Sequence, residues 1–236
     1  MGRVEPGIKE LLDTVRKRYT DLHGREPPEG FLSQYSFFFD FMGMTPGSIY
    51  YRRLENLGEP RIKKHLKASS GELNKKGYVL DAGCGTGDDS RWLKENGYKV
   101  IGIDTERRHI KLGHSFYEDD SCYDSPVFLI GDVCSMPFGD ESFANVYAGS
   151  LIHTIRPITG TRNFLGEVRR VLEKDGVFFG STLGTDRDVS RFVPVQFRQE
   201  ELKELIEDFF ILDHFHALYQ KGGSPVFRAY FSAIKE

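Results

Sequence analysis

No uninterrupted apolar run approaches the length of a membrane-spanning helix, and the opening residues, MGRVEPGIKE, hold no apolar signal core. A cytoplasmic protein without a membrane partner is therefore expected. Cysteine is scarce: Cys84, Cys122 and Cys134 are odd in number and show no C-x-x-C spacing. That argues against a disulfide framework and for reduced thiols. An excess of one charge is missing too, with 32 Lys and Arg against 35 Asp and Glu, so no general pull toward phosphate backbones favours a nucleic-acid partner. His214 and His216 alternate along a predicted strand and share a face, but no Cys or Glu cluster accompanies them, so no metal is expected. Internal repeats and low-complexity tracts are also lacking. A hydrophobic content of 39% with mixed charges, over 236 residues, describes a chain able to bury a sizeable core.

The most informative stretch is VLDAGCGTG at 79–87, where an apolar run ending in Asp81 opens into Gly83, Gly85 and Gly87. Glycines this dense let the backbone turn sharply and approach a ligand closely, and the loop feeds a predicted helix at 88–95. A dinucleotide loop reads G-x-G-x-x-G; here the third glycine comes one residue early. KVIGID at 99–104 reads as a second buried strand closing on Asp104, whose carboxylate can accept from both ribose hydroxyls of a nucleoside. The plainer reading of Asp104 with Thr105 is a helix cap. VFLIGDVCSMPFGDESF at 127–143 supplies a third strand followed by Asp132 and Val133.

These segments resemble class I S-adenosylmethionine-dependent methyltransferases of the broad small-molecule type. The G-x-G-x-G loop is one element of the resemblance. The other is a D-x-x-x-L-P-F-like segment with an acidic turn: Asp132, Met136, Pro137 and Phe138, then Gly139, Asp140, Glu141, Ser142 and Phe143. The family usually has Asp where this chain has Ala144. S-adenosylmethionine is the implied cofactor, held by the loop residues Asp81, Gly83, Cys84, Gly85 and Gly87 and by Asp104 with Thr105 at the ribose. Asp132 would receive the adenine amino group while the Val133 backbone lies beside the ring. In GSLIHTI, Ser150 matches the segment beside the methionine part, and His153 is the candidate general base facing an acceptor; its bland alternative is a hydrogen-bonded structural histidine. The Pro-Cys pair of cytosine-C5 methylation is missing, as is the Asn/Asp-Pro-Pro-aromatic string of enzymes that methylate amino groups of adenine or glutamine.

Residues 1–75 show helical periodicity, with Ile8, Leu11, Leu12, Val15, Tyr19 and Leu22 at helix spacings and a break at Pro27 and Pro28. Their aromatics, Tyr50 and Tyr51 above all, are candidates for a lid over the site, with simple packing as the alternative. Arg and Lys in YYRR and PRIKKHLK read as a solvated face unless they gather beside the site, which would favour an anionic acceptor. From 76 to 236, strands at about 78–82, 99–103, 127–130, 144–148 and 176–182 alternate with helical segments, the rhythm of a parallel sheet covered on both faces. Segments 209–219 and 225–234 are joined by a turn too short for a crossover and must be antiparallel. The expected architecture is an α/β, Rossmann-like, seven-stranded sheet with a reversed C-terminal strand and an N-terminal helical extension. Methyl transfer to a small molecule is the favoured activity, over protein or RNA acceptors. The rivals are another transferase on the same scaffold and a cofactor-binding subunit that activates a partner.

Overall fold

The computed structural model describes residues 13, 16, 17, 20, 24–26, 61–69, 73–117, 127–155, 157–186, 197–219 and 226–236. The chain forms two compact units, Met1–Glu59 and Pro60–Glu236. In the first, residues 13, 16, 17 and 20 are helical, and Asp13, Arg16 and Lys17 are exposed. Gly24 takes a left-handed φ of 65° and donates its N–H to Thr20 O at 2.8 Å, closing a helical turn. The apolar positions that the periodicity singled out lie outside the described residues, as do Tyr50 and Tyr51.

The second unit begins with α1 (Ile62–Ser69), followed by β1 (Tyr78–Ala82), α2 (Asp88–Glu95), β2 (Lys99–Asp104), α3 (Arg107–Tyr117), β3 (Val127–Ile130) and β4 (Phe143–Gly149). A 3-10 turn (Ile152–Thr154) then leads to α4 (Ile158–Val171), β5 (Leu172–Thr185), α5 (Gln199–Glu207), β6 (Ile211–Tyr219) and β7 (Val226–Ile234). Sequence and structure divide the chain differently. The unit boundary falls before Pro60 rather than near Lys75, because α1 buries Ile62 against Val79, Leu93, Tyr147 and Phe179.

The seven strands lie in the order β3-β2-β1-β4-β5-β7-β6. Pairings among β1 to β5 are parallel, whereas β7 runs antiparallel to both β5 and β6. The central strand β4, FANVYAG, is buried along nearly its whole length, as a parallel strand covered on both faces must be. Its first residues explain the glycine before β1: a Cβ on Gly77 would meet Ala144 Cβ at 2.5 Å, so the chain entering β1 packs directly on the start of β4. One apolar cluster joins Leu80, Val146, Phe178 and Phe231 to Phe164 and Leu165 of α4 and to Leu202 and Ile206 of α5.

Two predicted strand limits shift for local reasons. β5 starts at Leu172 because that residue already pairs with Phe143, after which the register jumps so that Asn145 lies opposite Val177. Phe209 and Phe210, expected at the start of β6, instead donate both N–H groups to Ile206 O and finish α5.

Candidate active site

The crossover order places β1 and β4 side by side at the centre while their connections leave in opposite directions, which opens a crevice at the carboxyl ends of the strands. Into it runs the loop after β1. Gly83, Gly85 and Gly87 all adopt positive φ, at 71°, 57° and 81°. Their surroundings differ. A Cβ on Gly87 would collide with Phe128 Cζ at 2.3 Å, whereas a Cβ on Gly85 would meet nothing within 4 Å. Gly87 is thus required by packing, and Gly85 presents bare backbone toward open space.

The loop is fastened from beneath. Ile103 O accepts from Gly83 N at 2.8 Å and from Cys84 N at 3.1 Å, and Asp104 Oδ2 accepts from Gly85 N at 2.9 Å. The other carboxylate oxygen of Asp104 accepts from Glu106 N at 2.8 Å and lies 3.6 Å from His109 Nδ1. Burial works against the Asp104 charge, but the hydrogen bonds from His109, Glu106 and Gly85 outweigh it and hold the carboxyl below its ordinary range. The residue is therefore an ionised acceptor at neutral pH, and it also caps the entry to α3. Both readings of Asp104 are compatible, since each carboxylate oxygen carries two acceptor sites.

Asp81 and Cys84 act behind the loop rather than in front of it. Asp81 is buried, and its Oδ2 accepts from Ser90 Oγ at 2.6 Å, tying α2 to β1. Burial, with Asp89 beside it, pushes the Asp81 carboxyl up to about 8. Asp89 is half-buried, and desolvation raises its carboxyl; its oxygens accept from Ile62 N at 2.9 Å and from Tyr147 OH at 3.2 Å. The Cys84 side chain packs against Ile110 and Phe128, and burial raises its thiol well above the usual value, so it is an inert packing group. Thr105 and Asp132 are exposed and Val133 is buried. Asp132 Oδ1 accepts from Cys134 N at 2.8 Å, which orients the carboxylate at the end of β3.

At the end of β4, Ser150 is held in the left-handed region, φ 62°, with its N–H donated to Ser181 O at 2.8 Å. Strain of this kind in a non-glycine residue costs about 1–3 kcal/mol and marks a site where the surroundings dictate the backbone. Three residues on, His153 is buried in the 3-10 turn. Its backbone N–H donates to Thr182 Oγ1 at 3.1 Å, and its Nδ1 lies 3.2 Å from the same oxygen and 3.3 Å from Leu183 N. Asp104, Asp132, Ser150 and His153 thus stand at the carboxyl ends of β2, β3 and β4 around the glycine loop.

Sequence reasoning did not single out His109, Asp89, Tyr147 or Arg228. Arg228 Nη1 donates to Ser150 Oγ at 2.7 Å. The available signal was a lone charge within the apolar run PVFRAYFSAI; Asp89 and Tyr147 offered none, because their pairing depends on how α2 docks on β4.

Comparison with known proteins agrees with this geometry. Residues 80–180 match the family model described as a methyltransferase domain. A sterol 24-C-methyltransferase of Gibberella zeae is 34% identical over 101 residues, covering 42% of this chain and 26% of that protein. A ubiquinone/menaquinone biosynthesis C-methyltransferase of Acidiphilium cryptum is 26% identical over 179 residues, 75% of this chain and 59% of that protein. The chain spans between about a quarter and about half the length of the first curated relatives it matches. Among solved structures, the PH0226 protein of Pyrococcus horikoshii superposes with a TM-score of 0.63 at 20% identity, covering 84% of this chain and 99% of that one.

Fold, glycine loop and family match together define a Rossmann-like nucleoside-binding transferase. More narrowly, residues 80–180 are similar to the methyltransferase domains of the class I S-adenosylmethionine-dependent type, and S-adenosylmethionine is the cofactor that this match supports. The residues present fit that group: bare backbone at Gly85, an ionised acid at the end of β2 and an exposed acid at the end of β3.

Proposed function

We propose that the protein transfers a methyl group from S-adenosylmethionine to a small-molecule acceptor. The observation that carries this reading is the junction of Gly85 with Asp104, which couples a ligand-approaching backbone to a charged acceptor of the right chemistry for ribose hydroxyls. In this reading the Gly83 to Gly87 backbone lies along the methionine part. Asp104 takes the ribose, with Thr105 beside it, and Asp132 and Val133 take the adenine. Ser150 borders the methionine end. The bound cofactor supplies an electrophilic methyl on a sulfonium that carries its own leaving group.

The protein's remaining task is to hold an acceptor in line and keep water out, and orientation of this kind supplies about 7–11 kcal/mol in well-aligned systems. His153 is the proposed base for an acceptor that arrives protonated. That role demands one tautomer: Nδ1 must carry a proton and donate to Thr182 Oγ1, leaving Nε2 as the accepting nitrogen. In the other tautomer Leu183 N donates to Nδ1, and the ring is a hydrogen-bond donor instead.

A small molecule is favoured because the curated relatives named above act on sterol and quinone substrates by their printed names, and because net charge offers no attraction to nucleic acid. Tyr50 and Tyr51 remain the proposed lid residues. The test is release of S-adenosylhomocysteine by the full chain across a panel of sterol, quinone, isoprenoid and aromatic acceptors that includes carboxylated and phosphorylated members of the last two. Tight cofactor binding with no turnover on any of them would favour the partner-activating subunit instead.

A further inference from the structure

β7 is buried and apolar along most of its length, with Phe227, Ala229, Phe231 and Ala233 all inaccessible, yet it carries Arg228. Strand register fixes where that charge stands. Asp81 is level with Tyr147, Tyr147 with Phe179, and Phe179 with Ser232. One side-chain step nearer the ligand end, Gly149 is level with Ser181 and Ser181 with Tyr230. Arg228 pairs with Leu183, a further step out, beyond the last residue of β4. Its guanidinium accordingly lies over the carboxyl end of β4, bound to Ser150, on the side of β4 away from the glycine loop. A cofactor seated on the loop and on β2 leaves that side for the acceptor.

Charge around Arg228 is unbalanced. Ser150 Oγ takes a hydrogen bond from one of its five N–H groups, and among the described residues no carboxylate forms an ion pair with it. Burial pulls its pKa below the ordinary value, and Arg61, immediately before α1, adds like-charge repulsion. His65 of α1 is packed between the rings of Tyr147 and Tyr230, and burial, with Arg228 and Arg61 beside it, pushes it down to about 3, so it is uncharged. A half-buried guanidinium without a carboxylate is costly to keep, and this one stands at the carboxyl end of β4, the end of a parallel sheet where ligands arrive.

We propose that Arg228, held by Ser150, is the docking group for an oxyanion on the methyl acceptor, so that the enzyme's substrates are small organic carboxylates or phosphates. This rests on the methyltransferase reading above. A planar guanidinium suits such a group because it offers paired donors matched to two oxygens. Neutral sterols or quinones would leave it unmatched, which separates this chain from the relatives it resembles.

The test follows the side-chain Nε–Hε resonance of Arg228 by NMR in the full chain, with and without saturating S-adenosylhomocysteine, while inorganic phosphate or benzoate is added. The expected result is a saturable shift of Arg228 with at least one of the two anions in the S-adenosylhomocysteine complex. Arg228→Gln should weaken that anion at least tenfold with S-adenosylhomocysteine affinity unchanged. Arg228→Lys, which keeps the charge but not the fork, should fall between them and serves if the Gln variant does not fold. No saturable shift with either anion overturns the proposal, as does unaltered anion affinity in the variants. A shift produced by S-adenosylhomocysteine alone, with nothing further from phosphate or benzoate, also overturns it, since the oxyanion is then the cofactor's own carboxylate. Absence of S-adenosylhomocysteine binding would instead sink the methyltransferase reading, and the anion titration of the ligand-free protein is read separately from it.

Discussion

Asp104 Oδ2 accepts the Gly85 N–H at 2.9 Å across 19 residues of sequence. The acid at the end of β2 therefore sets the shape of the loop at the end of β1. Asp104→Ala should weaken S-adenosylmethionine and S-adenosylhomocysteine binding about tenfold or more, because losing one contact of about 1.4 kcal/mol gives that factor and the loop anchor is lost as well. NAD should not bind the parent protein, since the glycine spacing is too short for a pyrophosphate at the helix start. Calorimetry checks both; preferential NAD binding, or unchanged affinity in the variant, would contradict the assigned role.

Two glycines of the loop should fail differently. In Gly87→Ala the new methyl meets the Phe128 ring and the left-handed backbone is strained, so loss of stability by at least about 1 kcal/mol is expected. In Gly85→Ala the backbone strain remains but the methyl enters open space. That variant should stay folded and lose cofactor affinity more than stability. Thermal melts with and without S-adenosylhomocysteine distinguish them, and equal behaviour of the two variants would argue that Gly85 faces no ligand.

His153→Ala should leave cofactor affinity nearly intact and cut turnover about a hundredfold or more if the ring is a base. Thr182→Val adds a sharper criterion. It removes the hydroxyl that accepts from Nδ1–H, so it should lower turnover and shift the pH–rate profile, whereas a merely structural histidine would show a stability loss and an unmoved profile.

Much of this architecture was legible because its signals are local. Strands β1 to β3 are continuous apolar runs that end in Asp81, Asp104 and just before Asp132, and the short connection before β7 dictates its reversal. What escaped depends on contacts between distant elements. Lys75 looked like a boundary because strand periodicity begins there, but α1 is held to the sheet by Ile62, whose N–H is donated to Asp89 on another helix. Asp81 and Cys84 belong to the loop motif by position, and only tertiary packing shows their side chains turned inward. Arg228 was visible as an oddity in an apolar strand, and its meaning came from the register that carries it to Ser150.

The proposed lid has a direct assay. Saturating S-adenosylhomocysteine should protect residues 31–58 from limited proteolysis, and Tyr50→Ala with Tyr51→Ala should lower turnover more than cofactor affinity. Cleavage unaffected by ligand would return these aromatics to packing.

Stability should fall as pH rises from about 6.5 to about 8, and Asp81 should be a main cause; between about 4 and 6.5 the buried, neutral His65, pushed down to about 3, contributes a rise that offsets it. Burial and the neighbouring Asp89 push its carboxyl up to about 8 in the folded protein, against an ordinary value of 3.8. The folded state therefore keeps a proton that the unfolded chain releases near pH 4. The contribution is fully present below that point and is lost progressively until pH passes about 8, with a limiting slope of about 1.4 kcal/mol per pH unit for one proton. Asp89, raised by burial, acts with the same sign, while Ser90 and Arg61 oppose both shifts without cancelling them. The depressed carboxyl of Asp104 acts only at lower pH, outside this window. Asp81→Asn keeps an acceptor for Ser90 Oγ and removes the titration, so urea unfolding at pH 6.5 and pH 8, above the range in which His65 contributes, should show a smaller loss in the variant than in the parent. Identical losses in the two proteins, or a parent whose stability rises over this range, would mean that Asp81 is ionised in the fold and that its charge is balanced within the buried cluster around α2.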